Sequence, residues 1–206
     1  LYAYAPLLKE EEKKYKNFSK SIRRRAATIG GHNMDDYPLK MHVFNRARLI
    51  KNSKNRIPYG VDLIQKYKRE SWIVFTENKK QAKEFNKIIN TKGFKSALYN
   101  TDLDSAERLE NLNKFKKADL NVLVTCTALD EGFDMPEADG ALILSASSSK
   151  RQRVQRMGRV LRITENKPNA LIVTVYSSKT EFDKLMEEAK RYHKEGVPVS
   201  WKRQDR

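Results

Sequence analysis

The sequence has few cysteines and no long apolar runs, the features on which many secreted and membrane proteins depend. It contains a single cysteine, Cys126, among 206 residues, which excludes a disulfide framework. Its longest apolar runs, such as Ala141–Leu144, are far shorter than the roughly 20 residues that a transmembrane helix needs. No stretch at its start has the pattern of a signal peptide. We therefore expect a reducing, intracellular location, in the cytoplasm, nucleoid or nucleus, and no membrane partner.

Signatures of metal and nucleotide binding are also missing. The three histidines, His32, His42 and His193, lie far apart and have no neighbours at metal-ligand spacing, so we expect no metal site. No G-x-x-x-x-G-K-[S/T] loop occurs, so the sequence lacks the element that cradles the β- and γ-phosphates of a nucleotide.

Positive charge is abundant and unevenly distributed. The chain has 42 Lys and Arg against 26 Asp and Glu, a net charge of +16. Residues 1–70 hold 17 of these cations and 7 of the anions. Such a surface attracts polyanions, of which nucleic acid is the commonest inside cells. A soluble lysine-rich surface has the same composition, and charge alone does not separate the two.

Residues 1–68, the lead-in, have the pattern of a basic helical extension that packs on the rest of the chain. Apolar residues recur at steps of three or four in Lys9–Arg25 and Leu39–Lys51, which predicts two amphipathic helices. Val61–Lys68 predicts a short third helix.

Residues 69–206 have the alternating pattern of an α/β domain. Strands are predicted at Ser71–Phe75, Lys95–Tyr99, Asn121–Thr125, Ala141–Ser145 and Ala170–Tyr176. Helices are predicted at Asn78–Thr91, Ser105–Lys116, Arg151–Arg162 and Thr180–Lys194. Strands separated by helices of this length favour a parallel sheet with helices on both faces.

The most specific chemistry lies in Gly140–Thr164, a stretch with six cations and no acidic residue. Arg156, Arg159 and Arg162 are three residues apart, so a helix would place them on one face. Guanidinium groups bind phosphate oxygens in a bidentate manner and keep their charge, so a polyphosphate is the natural partner. A solvated basic face or a ladder of salt bridges between helices is the alternative.

Four segments resemble the ordered motifs of superfamily 2 helicases. Gln155–Arg162, with the pattern Q-R-x-G-R-x-x-R, resembles motif VI. Val122–Pro136, a strand followed by a threonine and G-x-D-x-P, resembles motif V, and Phe75–Thr76 resembles motif IV. Glu107–Arg108 is similar to the pair that opens the helix before motif V. The resemblance covers roughly residues 71–176, in the order of the family.

The resemblance implies a C-terminal RecA-like lobe of a two-lobe ATPase, with ATP bound in the cleft between the lobes. Arg159 and Arg162 would be arginine fingers that stabilise charge on the transferred phosphoryl group. Gln155 and Arg156 would lie at the lobe interface, on the ATP site, and couple nucleotide binding to closure.

The motif V and motif IV positions carry further expectations from the same resemblance. Gly132 would allow close backbone approach at the ATP site, and Asp134 would bind the ribose hydroxyls or a motif VI arginine. A turn or cap before Pro136 is the alternative role of Asp134. Thr76 and Thr125 would contact the nucleic-acid backbone without regard to its sequence. A cap of its own helix is the alternative role of either threonine, and it does not exclude the contact.

The first lobe of such a motor is not in this sequence. Asp130–Glu131 is not a magnesium-binding pair, because it lies inside motif V with no phosphate loop upstream. ATP and Mg²⁺ are therefore the expected cofactors, with the magnesium ligands in the first lobe, which is also the expected protein partner. The start at Leu1 fits an excised fragment, which we expect to be inactive alone.

The subfamily follows from the head of motif VI. RNA helicases of the DEAD-box group usually have His at the position of Gln155. Gln155 and the run Ser145–Arg151 instead resemble the DNA-directed group of excision-repair, restriction and phage-type helicases. Swi/Snf-type remodellers have a differently spaced arginine motif. DNA is therefore the expected partner rather than RNA. The alternatives are a non-catalytic basic nucleic-acid-binding module of the same fold and a regulatory domain whose motif VI binds carboxylates.

Overall fold

A computed structural model describes residues 1–126, 137–145 and 170–203 of the chain. The strands are β1 Tyr2–Tyr4, β2 Trp72–Thr76, β3 Ser96–Tyr99, β4 Val122–Cys126, β5 Gly140–Ile143, β6 Leu171–Tyr176 and β7 Trp201–Arg203. The helices are α1 Lys9–Thr28, α2 Tyr37–Lys51, α3 Arg56–Lys66, α4 Lys79–Thr91, α5 Ser105–Lys116 and α6 Lys179–Lys194. The strands of these ranges form one sheet in the order β3-β4-β2-β5-β6-β1-β7, and every pair is parallel.

Strand β2 lies in the interior of the sheet and is buried along its whole length. Trp72 and Val74 pack on one face with α3 and α4, whereas Ile73 and Phe75 pack on the other with α5. Because neighbouring side chains of a strand point to opposite faces, a continuous apolar run is what a strand covered on both sides requires. The predicted parallel sheet with helices on both faces is confirmed.

The lead-in is not wholly helical, which corrects the prediction for residues 1–68. Its strand β1 lies between β6 and β7, with Tyr2 paired to Thr174 and to Trp201. Ala3 is fully buried in the same core as α3 and α4. The lead-in is therefore part of the sheet rather than a unit that packs on a finished one. A three-residue strand is too short to show periodicity, and its partners lie far away in sequence.

Helix α3 begins five residues before the predicted start at Val61. Pro58 and Gly60 read as helix breakers, but proline is tolerated in the first turn of a helix. Gly60 is needed for close packing, since a Cβ atom there would lie 2.6 Å from the Leu144 side chain. The missing side chain lets α3 lie directly on the end of β5.

Helices α1 and α2 form a hairpin held by one ion pair. Asp36 caps α2 by accepting the amide N–H of Leu39, 2.9 Å away. Its two carboxylate oxygens also accept bonds from Arg25 near the end of α1, at 3.0 and 2.6 Å. The Arg25 guanidinium, with the Leu39 amide, lowers the pKa of the Asp36 carboxyl.

The predicted helix Arg151–Arg162 lies outside the described residues.

Candidate functional site

The carboxyl ends of β2 and β4 bring the two predicted nucleic-acid-binding threonines together. Phe75 pairs with Thr125 and Thr76 with Cys126, so the threonines occupy neighbouring strands at one edge of the sheet. The Thr76 hydroxyl donates to the main-chain carbonyl of Thr125 at 3.0 Å. The Thr125 hydroxyl donates to the carbonyl of Cys126 at 3.2 Å. Both residues are buried, so a phosphate contact would need a hydroxyl to turn away from its carbonyl.

The helix that follows Thr76 is capped by other residues. Asn78 accepts the amide N–H of Gln81 through its side chain at 3.0 Å. Gln81 in return accepts the amide N–H of Glu77 at 2.9 Å. This reciprocal arrangement satisfies the start of α4 without a threonine. The alternative role of Thr76 as the cap of α4 is therefore wrong, and its hydroxyl joins β2 to β4 instead.

Glu77 connects this edge to two other elements. One of its carboxylate oxygens accepts the ammonium of Lys51 at the end of α2, at 2.9 Å. The other accepts the hydroxyl of Ser145, which follows β5, at 3.2 Å. Ser145 lies within Gly140–Thr164, the stretch that also contains Arg156, Arg159 and Arg162, the arginine row. Glu77 was not predicted from the sequence, since a glutamate before a helix has many ordinary roles.

Arg56 is a second functional residue that no sequence pattern indicates. Its side chain is fully buried, and five bonds match its five N–H donors. Nε donates to the carbonyl of Ile50 at 2.9 Å, and Nη1 to those of Leu144 and Val175, both at 2.7 Å. Nη2 donates to the two carboxylate oxygens of Glu181 at 2.7 and 2.6 Å. Arg56 thus fixes the start of α3 to the ends of β5 and β6 and to α6.

Asn100 follows β3 at the same edge and has an unsatisfied donor. Its side-chain oxygen accepts the amide N–H of Asp102 at 2.9 Å, while its buried Nδ2 has no partner among the described residues. The Asp102 carboxylate forms ion pairs with Lys79 and Lys83 of α4. Hydrogen bonds from Lys79 and then Lys83 lower the pKa of Asp102. The loop after β3 is therefore held against the start of α4.

Six predicted ATP-site residues lie outside the described part of the chain. They are Gly132, Asp134, Gln155, Arg156, Arg159 and Arg162. The three arginines among them fit a polyphosphate, because guanidinium forks match phosphate oxygens. Among residues 1–126, 137–145 and 170–203, no group of His, Cys, Asp and Glu could hold a metal ion. Within the same ranges no helix has the length and apolar character to cross a bilayer.

Comparison with known proteins identifies the family. The model of the helicase conserved C-terminal domain matches residues 55–164, from the start of α3 through the arginine row. The DNA 3′-5′ translocase XPB2 of Sulfurisphaera tokodaii is 30% identical over 193 residues, which cover 86% of this chain and 42% of that protein. The ATP-dependent rRNA helicase RRP3 of Scheffersomyces stipitis is 26% identical over 118 residues, covering 57% and 24%. The chain thus spans less than half the length of either relative.

The fold is also similar to that of solved helicase C-terminal domains. The C-terminal domain of the DEAD-box protein Dbp5 superposes with a TM-score of 0.62 at 19% identity, covering 75% of this chain and 85% of that domain. At this identity the likeness concerns the RecA-like fold alone. Because the family model covers more than half of the 206 residues, the chain belongs to the family of helicase conserved C-terminal domains, the second lobe of superfamily 2 helicases.

Proposed function

We propose that this chain is the second motor lobe of an ATP-dependent nucleic-acid helicase or translocase. The observation that carries the proposal is the family match over residues 55–164, which includes the whole arginine row. The adjacency of Thr76 and Thr125 at the carboxyl edge of the sheet supports it, because open parallel α/β sheets bind ligands at that edge.

In this proposal the ATP site lies between two lobes, and this chain supplies the half that faces the first lobe. Arg159 and Arg162 bind the γ-phosphate and stabilise charge in the transition state. Gln155 and Arg156 lie at the interface between the lobes, with Gly132 and Asp134 beside the nucleotide. The Mg²⁺ ligands belong to the first lobe, since this sequence has no phosphate loop. The chain alone is therefore inactive.

The proposed polynucleotide is DNA. The DNA translocase relative matches 86% of the chain at 30% identity, which favours DNA. Gln155 at the head of motif VI favours the same group. Thr76 and Thr125 hold the sugar-phosphate backbone, and the contact is indifferent to base sequence. An intracellular location is part of the same proposal, since ATP and DNA meet there.

The experiment is an ATPase assay of the complete polypeptide with single-stranded DNA, duplex DNA and RNA at equal nucleotide concentration. We expect hydrolysis to rise with DNA. Stimulation by RNA alone would overturn the choice of DNA, and an absence of ATP hydrolysis with all three would favour the non-catalytic binding module. The isolated 206-residue chain serves as the inactive control.

A further inference from the structure

A cleft of about 610 Å³ lies where the α1–α2 hairpin meets the starts of α3 and α4. Its volume is in the range of ligand-binding pockets. Asn78, the cap of α4, is one of its lining residues, and the main-chain carbonyl of Asn78 lies 3.3 Å from the Thr76 hydroxyl. The cleft therefore adjoins the edge of the sheet that carries the two threonines.

One wall of the cleft is a network of satisfied amides. The Asn78 side chain donates to Asn52 at 2.6 Å, and Asn52 donates to the carbonyl of Arg48 at 2.8 Å. Gln81 donates to the carbonyl of Lys51 at 3.3 Å. These bonds brace the end of α2 against the start of α4. The wall thus holds its shape without a ligand.

Three cations on this rigid frame have no counter-ion in the part of the chain that the structure describes. Arg48, Lys54 and Lys80 line the cleft from α2, from the turn before α3 and from α4. Within the described ranges, none of the three side chains forms an ion pair or a hydrogen bond. Glu84 is the one carboxylate among the lining residues. Three positive charges against one negative charge favour an anion, and the absence of internal partners leaves their donors available to it.

An apolar stripe on α2 leads out of the cleft. Tyr37, Met41 and Phe44 are 70%, 37% and 52% exposed. Together with Arg48 they are spaced by four, three and four residues, so all four share one face of the helix. The stripe extends about 16 Å at the helical rise of 1.5 Å per residue. Lys40 lies beside it, with its ammonium 5.9 Å from the centre of the Phe44 ring. Exposed aromatic side chains beside cations are typical of surfaces that bind unpaired bases and their phosphates.

We propose that the cleft binds phosphates of a single nucleic-acid strand whose bases stack along Tyr37 and Phe44. Arg48, Lys54 and Lys80 neutralise the phosphates, and the strand continues toward Thr76 past the start of α4. This inference deepens the proposed function, on which it rests, by giving the strand a second contact surface. A free phosphate compound offers the same anionic groups, but it would leave the apolar stripe exposed.

The test is the salt dependence of binding to a fluorescent 20-nucleotide oligo(dT), measured on the complete polypeptide. The triple variant Arg48→Gln, Lys54→Gln and Lys80→Gln should bind at least tenfold more weakly at low salt. Loss of three phosphate contacts should also reduce the slope of log affinity against log salt by about 2. Each replaced side chain is exposed, so the fold should remain intact, as circular dichroism would verify.

A charge-matched control distinguishes binding in the cleft from general attraction of DNA to the positively charged surface. Lys92, Lys116 and Lys117 are exposed cations at the far ends of α4 and α5. Their triple replacement by Gln should change the slope by much less. Equal losses in the two triple variants would overturn the proposal, since they would mean that only net charge matters. An unchanged slope in the cleft variant would also overturn it.

Two further arms test the strand itself. Tyr37→Ala with Phe44→Ala should weaken oligo(dT) binding, whereas Leu109→Ala, an equally exposed apolar residue on α5, should not. Unchanged binding in the double variant would overturn the stacking.

If the cleft triple variant lost binding of inorganic pyrophosphate but kept that of oligo(dT), the strand would be the wrong occupant. ATP hydrolysis by the parent is recorded in parallel: its absence would contradict the motor proposal, and an unchanged slope would contradict the cleft alone.

Discussion

The Thr76 hydroxyl donates a hydrogen bond to the carbonyl oxygen of Thr125 across 3.0 Å, joining β2 to β4 by a side chain as well as by the main-chain ladder. Both threonines come from segments that resemble helicase motifs, so two motifs far apart in sequence are in direct contact. A displacement of one strand end would therefore be transmitted to the other.

Replacement of Thr76 by valine should remove this bond while keeping the shape of the side chain. We expect the free energy of unfolding to fall by about 1 kcal/mol, the usual net value of a hydrogen bond. Thr76→Ser keeps the hydroxyl and should lose less, which urea denaturation of the two variants would measure. A serine variant less stable than the valine variant would contradict the importance of the bond. If the valine variant bound single-stranded DNA as tightly as the parent, the hydroxyl would serve the sheet alone.

Arg56→Met should be one of the most destabilising single changes in the described part of the chain. It removes five hydrogen bonds and leaves Glu181, whose side chain is only 12% exposed, without its buried partner. Breaking one side of such a pair typically costs about 3–5 kcal/mol. Urea denaturation should show this loss.

The matched control for Arg56 is Lys179→Met on α6. Lys179 also forms an ion pair, with Asp183, but its side chain is 81% exposed. Its loss should stay within about 0.5 kcal/mol, since exposed pairs contribute little. The double variant Arg56→Met with Glu181→Gln should recover part of the stability. Similar effects of Arg56→Met and Lys179→Met would show that burial of the Arg56 pair does not matter.

The α1–α2 hairpin should lose stability in acid through Asp36. Its pKa is lowered in the folded state by the bond from Arg25 and by the Leu39 amide. A carboxyl with a depressed folded pKa stabilises the fold above its unfolded pKa of about 3.9, and that stability is lost as the pH falls through the folded value. Asp36→Asn should therefore flatten the dependence of melting temperature on pH below about 4. Asp35→Asn, which removes the neighbouring exposed carboxylate, should leave that dependence unchanged, and equal effects would contradict the assignment.

The parallel sheet was predictable because each of its central strands is a short apolar run that can be recognised in the sequence alone. Trp72–Phe75 and Val122–Val124 are continuous apolar runs, and helices of 13 and 12 residues separate β2 from β3 and β3 from β4. β1 and β7 were not predicted. Each has three residues, and their positions depend on pairing between Tyr2 and residues 174 and 201. No local pattern carries that information.

The site was predictable in part for a similar reason. Threonines at the ends of parallel strands meet at one edge, so the adjacency of Thr76 and Thr125 follows from topology. The hydrogen bond between them does not, since it depends on a rotamer. Arg56 was missed because arginine is ordinarily exposed, and its burial depends on carbonyls that β5 and β6 bring together only in the folded chain.

In the proposed motor, the arginine row meets the terminal phosphate of ATP. Its most direct test is the DNA-stimulated turnover of the complete polypeptide with Arg159→Ala and with Arg162→Ala. Arg151→Ala, in the same acid-free stretch but outside the motif, is the control. We expect a fall in kcat of about 10³ or more for both motif variants, with DNA affinity little changed and near-parental turnover for the control. Parental turnover in both motif variants would contradict it.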